Sequence, residues 1–337
     1  MLKLMHIASG APHPELWTGA FRDALAQIGN LTLVENGATL DDAKRTALIQ
    51  ETQVLLLGWG SAPVPAAIAR EPGSLRYICN ITGEMKQWVP PEILESGLPV
   101  TNWGDAPAAP VAEGAMTLLL ATLKDLHHQI QTVRRDGWSM DPAQTGGSLE
   151  ELNVGLYGCG VIGRLFIELI RPFRPVLRVF DPYATELPAG CERAPSLEAL
   201  FSSSEAIVIH AGLNPETKNS VTADLLRRLP RHGVVINTAR GGIVDQDALF
   251  AELASGRLRA GLDVLEPDSL PAEHPARSWE NCILTAHHVS QGGPRGDQPA
   301  TLLPRSAHRI CLDNLRRHAA GDPLRFRLDP IAYRRQT

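Results

Sequence analysis

The sequence predicts an α/β protein of two doubly wound domains in a chain of 337 residues. Three observations lead there. At about 100–200 residues per domain, the length allows two domains. Short apolar runs alternate with helical patterns in two separate series, which is how strands buried on both faces of a parallel sheet read. A glycine-rich turn, at the start of the second series, stands between a strand and a helix.

In the first series, LKLMHIA, LTLVE, QVLLLG, RYICNI and LPVTN read as strands up to residue 101. Trp17, Phe21, Leu25 and Ile28 share one face of a helix between the first two. A proline-rich hinge, DAPAAP at 105–110, follows. It leads into one long helical pattern with Val111, Ala115, Leu118, Leu119, Thr122, Leu126, Ile130 and Val133 on a face, broken by Gly137 and then by Gly146–Gly147. From Asn153 the second series begins, with strands NVGLY, VLRVF, EAIVIH, GVVINT, LRAGLDV and CILTAH. Asp245 can cap one of its helices and Gly256 can close it. The helix from Thr222 stops at Pro230. Beyond about residue 292 the pattern turns helical again. These boundaries predict one domain at 104–290, and a second built from 1–103 and 291–337.

Composition narrows the function classes. Apolar residues make up 44% and charged residues 20%, as in an ordinary globular protein. A net charge of −5 gives no general attraction to nucleic acid or to an anionic membrane. The opening MLKLMHIASG is too short and too quickly polar for a signal peptide, and the apolar run near Met116–Leu123 is far short of a membrane span. The five cysteines are odd in number, widely spaced and without a CxxC pair. That argues against a disulfide framework or a metal site and for a reducing, cytoplasmic setting. Arginine far outnumbers lysine, so only sequence context can promote a given arginine.

The stretch NVGLYGCGVIGR places Gly158, Gly160 and Gly163 directly after an apolar strand and at the start of a helix. Gly158 permits a tight turn, Gly160 lets backbone approach a pyrophosphate, and Gly163 lets the helix pack closely on its strand. With Cys159, Val161 and Ile162, the helix N-terminus would offer free N–H groups and a positive dipole end to phosphates. The next strand ends in Asp181, followed by Pro182–Tyr183–Ala184. An acid there accepts hydrogen bonds from both ribose hydroxyls and repels a 2′-phosphate, so NAD is favoured over NADP.

Three later segments, INTARGGIVDQDAL (236–249), AGLDVLEPDSLP (260–271) and NCILTAHHVS (281–290), closely resemble consecutive signatures of the D-isomer-specific 2-hydroxyacid dehydrogenases. PVAEGAMTLLLA (110–121) and HAGLNPETKNS (210–220) are similar to that family too. The resemblance implies a Rossmann NAD-binding domain beside a flavodoxin-like substrate domain, with the active site in the cleft between them. It implies that Arg240 binds the substrate carboxylate and polarises the 2-oxo group, a role that suits the charged fork of a guanidinium. It makes His287 the proton donor, His288 its structural neighbour. A histidine, titrating near pH 6.5 in general, can give or take a proton near neutrality.

One position departs from the family pattern. Where the family has a glutamate contacting the histidine, this chain has Asp268, an arm shorter by roughly 1.5 Å, and misplacement on that scale can cost about 100-fold in rate. Glu266 is the alternative partner. Asp263 matches the family residue near the nicotinamide. His210, Ala211, Gly212, Thr217, Thr238 and Ala239 match the cofactor groove. The family's substrate loop corresponds to residues 80–85, with Thr82, Gly83 and Glu84 as candidate substrate contacts. Glu84 would repel a carboxylate if turned inward and leave the backbone donors in use if turned outward. Trp59 and Trp103, each after a strand, suit either a pocket wall or inter-domain packing. The helix from 110 resembles the family's dimer-forming element, so a homodimer is expected. The expected activity is interconversion of a small 2-oxo acid and its D-2-hydroxy acid. Glyoxylate/hydroxypyruvate reductase and phosphoglycerate-dehydrogenase-like readings stand as alternatives, and a non-catalytic NAD-sensing protein as a third.

Overall fold

The computed structural model describes residues 1–83, 85–136, 138, 146–291, 303–304 and 306–335. It divides into two compact units, 1–107 with 291–337, and 108–290.

The first unit opens with β1 (Leu2–Ile7), α1 (Gly19–Ala26), β2 (Gly29–Val34), α2 (Asp42–Gln50), β3 (Val54–Leu57), β4 (Tyr77–Asn80), α3 (Pro91–Glu95) and β5 (Val100–Thr101). Its sheet has the order β2-β1-β3-β4-β5, and every strand pairing is parallel. Side chains along β3 alternate between the two faces: Val54 and Leu56 enter one core, Leu55 and Leu57 the other. That two-sided burial is why QVLLLG reads as an unbroken apolar run. Thr18 and Asp41 cap α1 and α2 by accepting from the N–H groups of Phe21 and Lys44.

The second unit begins with α4 (Ala108–Leu123) and α5 (Leu126–Asp136). It continues through β6 (Asn153–Tyr157), α6 (Val161–Ile170), β7 (Val176–Phe180), β8 (Cys191–Arg193), α7 (Leu197–Ser202), β9 (Ala206–Ile209), α8 (Ala223–Arg228), β10 (Val234–Asn237), α9 (Gln246–Ala254), β11 (Arg259–Leu262) and β12 (Cys282–Leu284). The parallel sheet runs β12-β11-β10-β9-β6-β7-β8. Strand order therefore reverses at β6, whose carboxyl end carries the glycine turn. Val208 of β9 and Ile236 of β10 pack with α4 and α6 on one face. Ile207 and Val235 pack with α7, α8 and α9 on the other. Asp245 caps α9 by accepting from Ala248 N–H, and Gly256, at φ +72°, follows its end. The chain then returns to the first unit with α10 (Ala307–Ala320) and α11 (Pro330–Arg335). Ile310, Cys311 and Leu315 of α10 pack against β4 with α1.

Three details differ from the sequence pattern. The segment taken as a hinge is partly helical, since α4 begins at Ala108 and includes Pro110, tolerated in a first turn where no N–H is needed. The single long helix is two, because Asp125 adopts a left-handed φ of 52° while its carboxylate lies 3.5 Å from Arg259. The edge strand β8 is three mostly exposed residues, too short and polar to leave a hydrophobic signal.

Candidate active site

The three glycines of the turn have three different geometric reasons. Gly158 sits at φ +100°, and a Cβ there would lie 2.5 Å from Ala211 N and 2.7 Å from the His210 carbonyl carbon. A Cβ on Gly163 would lie 2.5 Å from Gly158 O, so α6 can approach its strand only without one. Gly160 is the opposite case: no atom lies within 4 Å of its Cβ position. It caps α6 without a side-chain hydrogen bond, leaving Val161 57% exposed beside a helix N-terminus that faces open space. A group with phosphate charge fits that cradle.

Asp181, at the end of β7, organises the neighbouring loop. Its Oδ2 accepts from Cys159 N–H at 2.7 Å, and its Oδ1 from Tyr183 and Ala184 N–H at 2.8 and 3.0 Å. The acid is thereby aimed back at the glycine turn, with Pro182 held inside the bend. The structure adds a cation that sequence reading missed. Arg193 of β8 donates to the carbonyls of Asp181 and Ala184 at 3.1 and 2.7 Å. Its only signal was its place on a strand that was not foreseen.

Two buried polar atoms near the sheet's carboxyl edge have no partner among the described residues: His210 Nε2 and Thr238 Oγ1. Burial pushes the His210 pKa down to about 4, so the ring is neutral, and it packs 5.1 Å from Phe166. Orphaned polar atoms in a groove ask for a ligand, and both are among the residues matched to the cofactor groove. Thr217 differs. Its hydroxyl donates to Gly212 O and accepts from Asn214 N–H, closing the loop after β9.

Arg240, Asp268 and His287 follow β10, β11 and β12, neighbouring parallel strands, so all three lie at one edge of the sheet. Asn237, only 1% exposed and not singled out by sequence, shapes the first turn by accepting from Ala239 N–H and donating to Arg240 O. The Arg240 guanidinium donates to Ala239 O at 2.7 Å, is half-buried, and has no ion pair among the described residues. The next residue ties this loop to the second one. A Cβ on Gly241 would sit 2.0 Å from the Leu265 carbonyl carbon. Gln246 reinforces the seam, donating to Glu266 O and accepting from Glu266 N–H.

From that seam the carboxylate reaches the histidine. His287 Nδ1 and Asp268 Oδ2 lie 2.6 Å apart, while Asp268 Oδ1 accepts from Leu265 N–H at 3.1 Å. The shorter arm therefore spans the gap. The carboxylate of Glu266 lies instead beside Gly242. Asp263, 3% exposed, clamps the histidine loop: its Oδ1 accepts from the Thr285 hydroxyl at 2.6 Å and Val289 N–H at 3.0 Å, and its carbonyl accepts from His287 N–H at 2.6 Å. Ala286 and His287 both take positive φ, 50° and 63°, a bend that side-chain-bearing residues hold only under such constraint. His288 turns back onto Ala286 O.

In the first unit, Thr82 is fully buried, its hydroxyl on Asn80, and Gly83 lies against Trp103. Glu84 lies outside the described residues. No group of three or more His, Cys, Asp or Glu with metal-holding geometry occurs among the described residues, and none of the described helices is long and apolar enough to cross a membrane.

Comparison with known proteins gives this arrangement a family. The description "D-isomer specific 2-hydroxyacid dehydrogenase, NAD binding domain" matches residues 116–289, more than half of the chain. A human protein named glyoxylate reductase/hydroxypyruvate reductase is 33% identical over 58% of this chain and 62% of its own length, under two thirds of that relative. A Methanocaldococcus jannaschii protein named D-3-phosphoglycerate dehydrogenase is 26% identical over 68% of this chain and 44% of its own. In fold, the chain is similar to a Polaromonas structure titled as a putative D-isomer-specific 2-hydroxyacid dehydrogenase. Its TM-score is 0.73 at 24% identity, covering 98% of this chain and 100% of that one.

Proposed function

The chain belongs to the D-isomer-specific 2-hydroxyacid dehydrogenase family, and from that premise we propose that it is an NAD-dependent oxidoreductase interconverting a small 2-oxo acid and its D-2-hydroxy acid. The observation that carries the reading is the 2.6 Å pairing of His287 with Asp268, on a loop tied through Gly241 to that of Arg240. Bound NADH would supply hydride to the 2-carbon. Arg240 takes the substrate carboxylate in a charge-assisted contact worth roughly 1.5–3 kcal/mol. His287 gives a proton to the 2-oxygen as the carbon is reduced, and takes it back in the other direction. Asp268, receiving Nδ1–H, fixes the orientation of the ring, and Nε2 exchanges the proton. Asp263 keeps the histidine loop bent. The turn at 158–163, with His210, Ala211, Gly212, Thr238 and Ala239, would hold the dinucleotide and Asp181 its ribose. Arg193, beside Asp181, offers NADP a partial foothold, so preference for NAD is set by the carboxylate rather than by lack of positive charge.

The 1–107 unit with its return segment acts as the substrate domain in this reading, and Thr82, Gly83 and Glu84 as substrate contacts. A cytoplasmic homodimer is the working form. Leu126, Ile130 and Val133 on α5 and Leu165 and Leu169 on α6 support the dimer, being apolar yet 38–48% exposed. The names of the relatives point to glyoxylate and hydroxypyruvate as first substrates to try. The test is NADH oxidation against glyoxylate, hydroxypyruvate, pyruvate and longer aliphatic and aromatic 2-oxo acids. Turnover of at least one with a D-configured product supports the reading; NADH binding without turnover of any would favour the non-catalytic alternative.

A further inference from the structure

We propose that Arg193 is a positioning residue for cofactor binding: its guanidinium holds the loop after β7, so that the Asp181 carboxylate stands where it can read a ribose. The inference rests on the reading of Asp181 as the ribose acceptor given above, and names the residue on which the placement of that acid depends.

The register of an edge strand brings Arg193 to this loop. β8 pairs parallel with β7, Arg193 stands opposite Val179, and Ala194 N–H donates to Val179 O at 2.9 Å. On the preceding pair, Arg178 Nε and Glu192 Oε2 lie 3.1 Å apart and hold the same register. Arg193 is thereby fixed on the neighbouring strand, opposite a residue two positions before Asp181. Its long side chain spans the rest of the way.

The loop is held twice. From within, the Asp181 carboxylate accepts from Tyr183 and Ala184 N–H through Oδ1 and from Cys159 N–H of the glycine turn through Oδ2. From the strand beside it, Arg193 Nη1 donates to Asp181 O at 3.1 Å, and Nη2 donates to Ala184 O at 2.7 Å and Thr185 O at 3.5 Å. A guanidinium suits the task because its planar fork meets several carbonyls at once. Arg164 of α6 donates to Glu186 O at 2.5 Å and secures the far end. Without the fork of Arg193, the carboxylate must hold the bend as well as read a ribose. A second observation joins the same groups. Burial pushes the Cys159 thiol up, and Arg164, Asp181 and Arg193 all act on it by charge. The two guanidiniums and the carboxylate therefore bear together on the turn that fits a phosphate.

The test measures the NADH Kd by fluorescence titration for the wild type, Asp181→Ala, Arg193→Ala, Arg193→Lys and the double variant Asp181→Ala/Arg193→Ala. Arg193→Ala should weaken binding by about fivefold and Asp181→Ala by about tenfold; the double variant should lose about tenfold rather than about fiftyfold, because Arg193 acts through Asp181. Arg193→Lys keeps the charge without the fork and should lose about threefold. Arg193 is exposed, on a strand of three residues, so urea midpoints measured without cofactor should stay near that of the wild type. Arg193→Lys serves if Arg193→Ala does not fold. Additive losses in the double variant, wild-type affinity in Arg193→Lys, or NADH binding unmoved by Arg193→Ala would each overturn the inference while leaving the ribose role of Asp181 intact. An Asp181→Ala variant that binds NADH as the wild type does would overturn both.

Discussion

Asp268 is the residue at which sequence pattern and structure had most to settle. The family's glutamate is replaced by a shorter acid, yet its Oδ2 lies 2.6 Å from His287 Nδ1 because the 265–268 turn, closed by Leu265 N–H on Oδ1, carries it forward. Asp268→Asn keeps the shape and removes the charge; kcat for 2-oxo acid reduction should fall by about 100-fold, because the ring loses the carboxylate that orients it. Steady-state kinetics check this. Asp181→Ala should weaken NAD binding by about tenfold and shrink the NAD-over-NADP discrimination in Kd, since it frees Cys159 N–H and removes the acid proposed to accept from the ribose. An unchanged ratio in titrations with both cofactors would refute that role. The glycine turn was legible because its place between a strand and a helix specifies it, whereas Arg240 and His287 were singled out by resemblance to the family's segments. Asn237, Gln246 and Arg193 were not, because each acts on backbone groups, which one residue type in a sequence does not announce.

At the scale of elements, the site depends on loops that press backbone on backbone. Gly241 touches the Leu265 peptide so closely that a methyl group must force the two loops apart. Gly241→Ala should destabilise the fold by about 1–3 kcal/mol and cut kcat by at least about tenfold, with NADH affinity changed only a few-fold. Urea unfolding and fluorescence titration measure the two effects separately. Strands were the easiest elements to read, since burial on both faces leaves apolar runs such as IVI and VVI. Helix limits were harder: the break at Asp125 is set by its contact with Arg259, over a hundred residues away. The edge strand β8 was missed because exposure erases the hydrophobic signal.

For the whole molecule, acid is a predicted weakness. His6 is fully buried, and burial lowers its pKa to about 4; His210 behaves alike. In the unfolded chain both would titrate near about 6.5, so between those values the unfolded state binds more protons. Stability is full above about pH 6.5 and falls as pH drops toward about 4, with His6 alone contributing on the order of 3 kcal/mol over that range. Urea midpoints measured from neutral pH downward should decline, and His6→Gln should flatten the decline. Light scattering should give twice the chain mass, and Ile130→Glu, on the exposed face of α5, should give the monomer. The central claim, that Arg240 engages the substrate rather than the cofactor or the fold, has its most direct test in Arg240→Ala assayed at saturating NADH. Turnover should fall by about a thousandfold or more while the NADH Kd stays within a few-fold; equal losses in both, or turnover near that of the wild type, would contradict it.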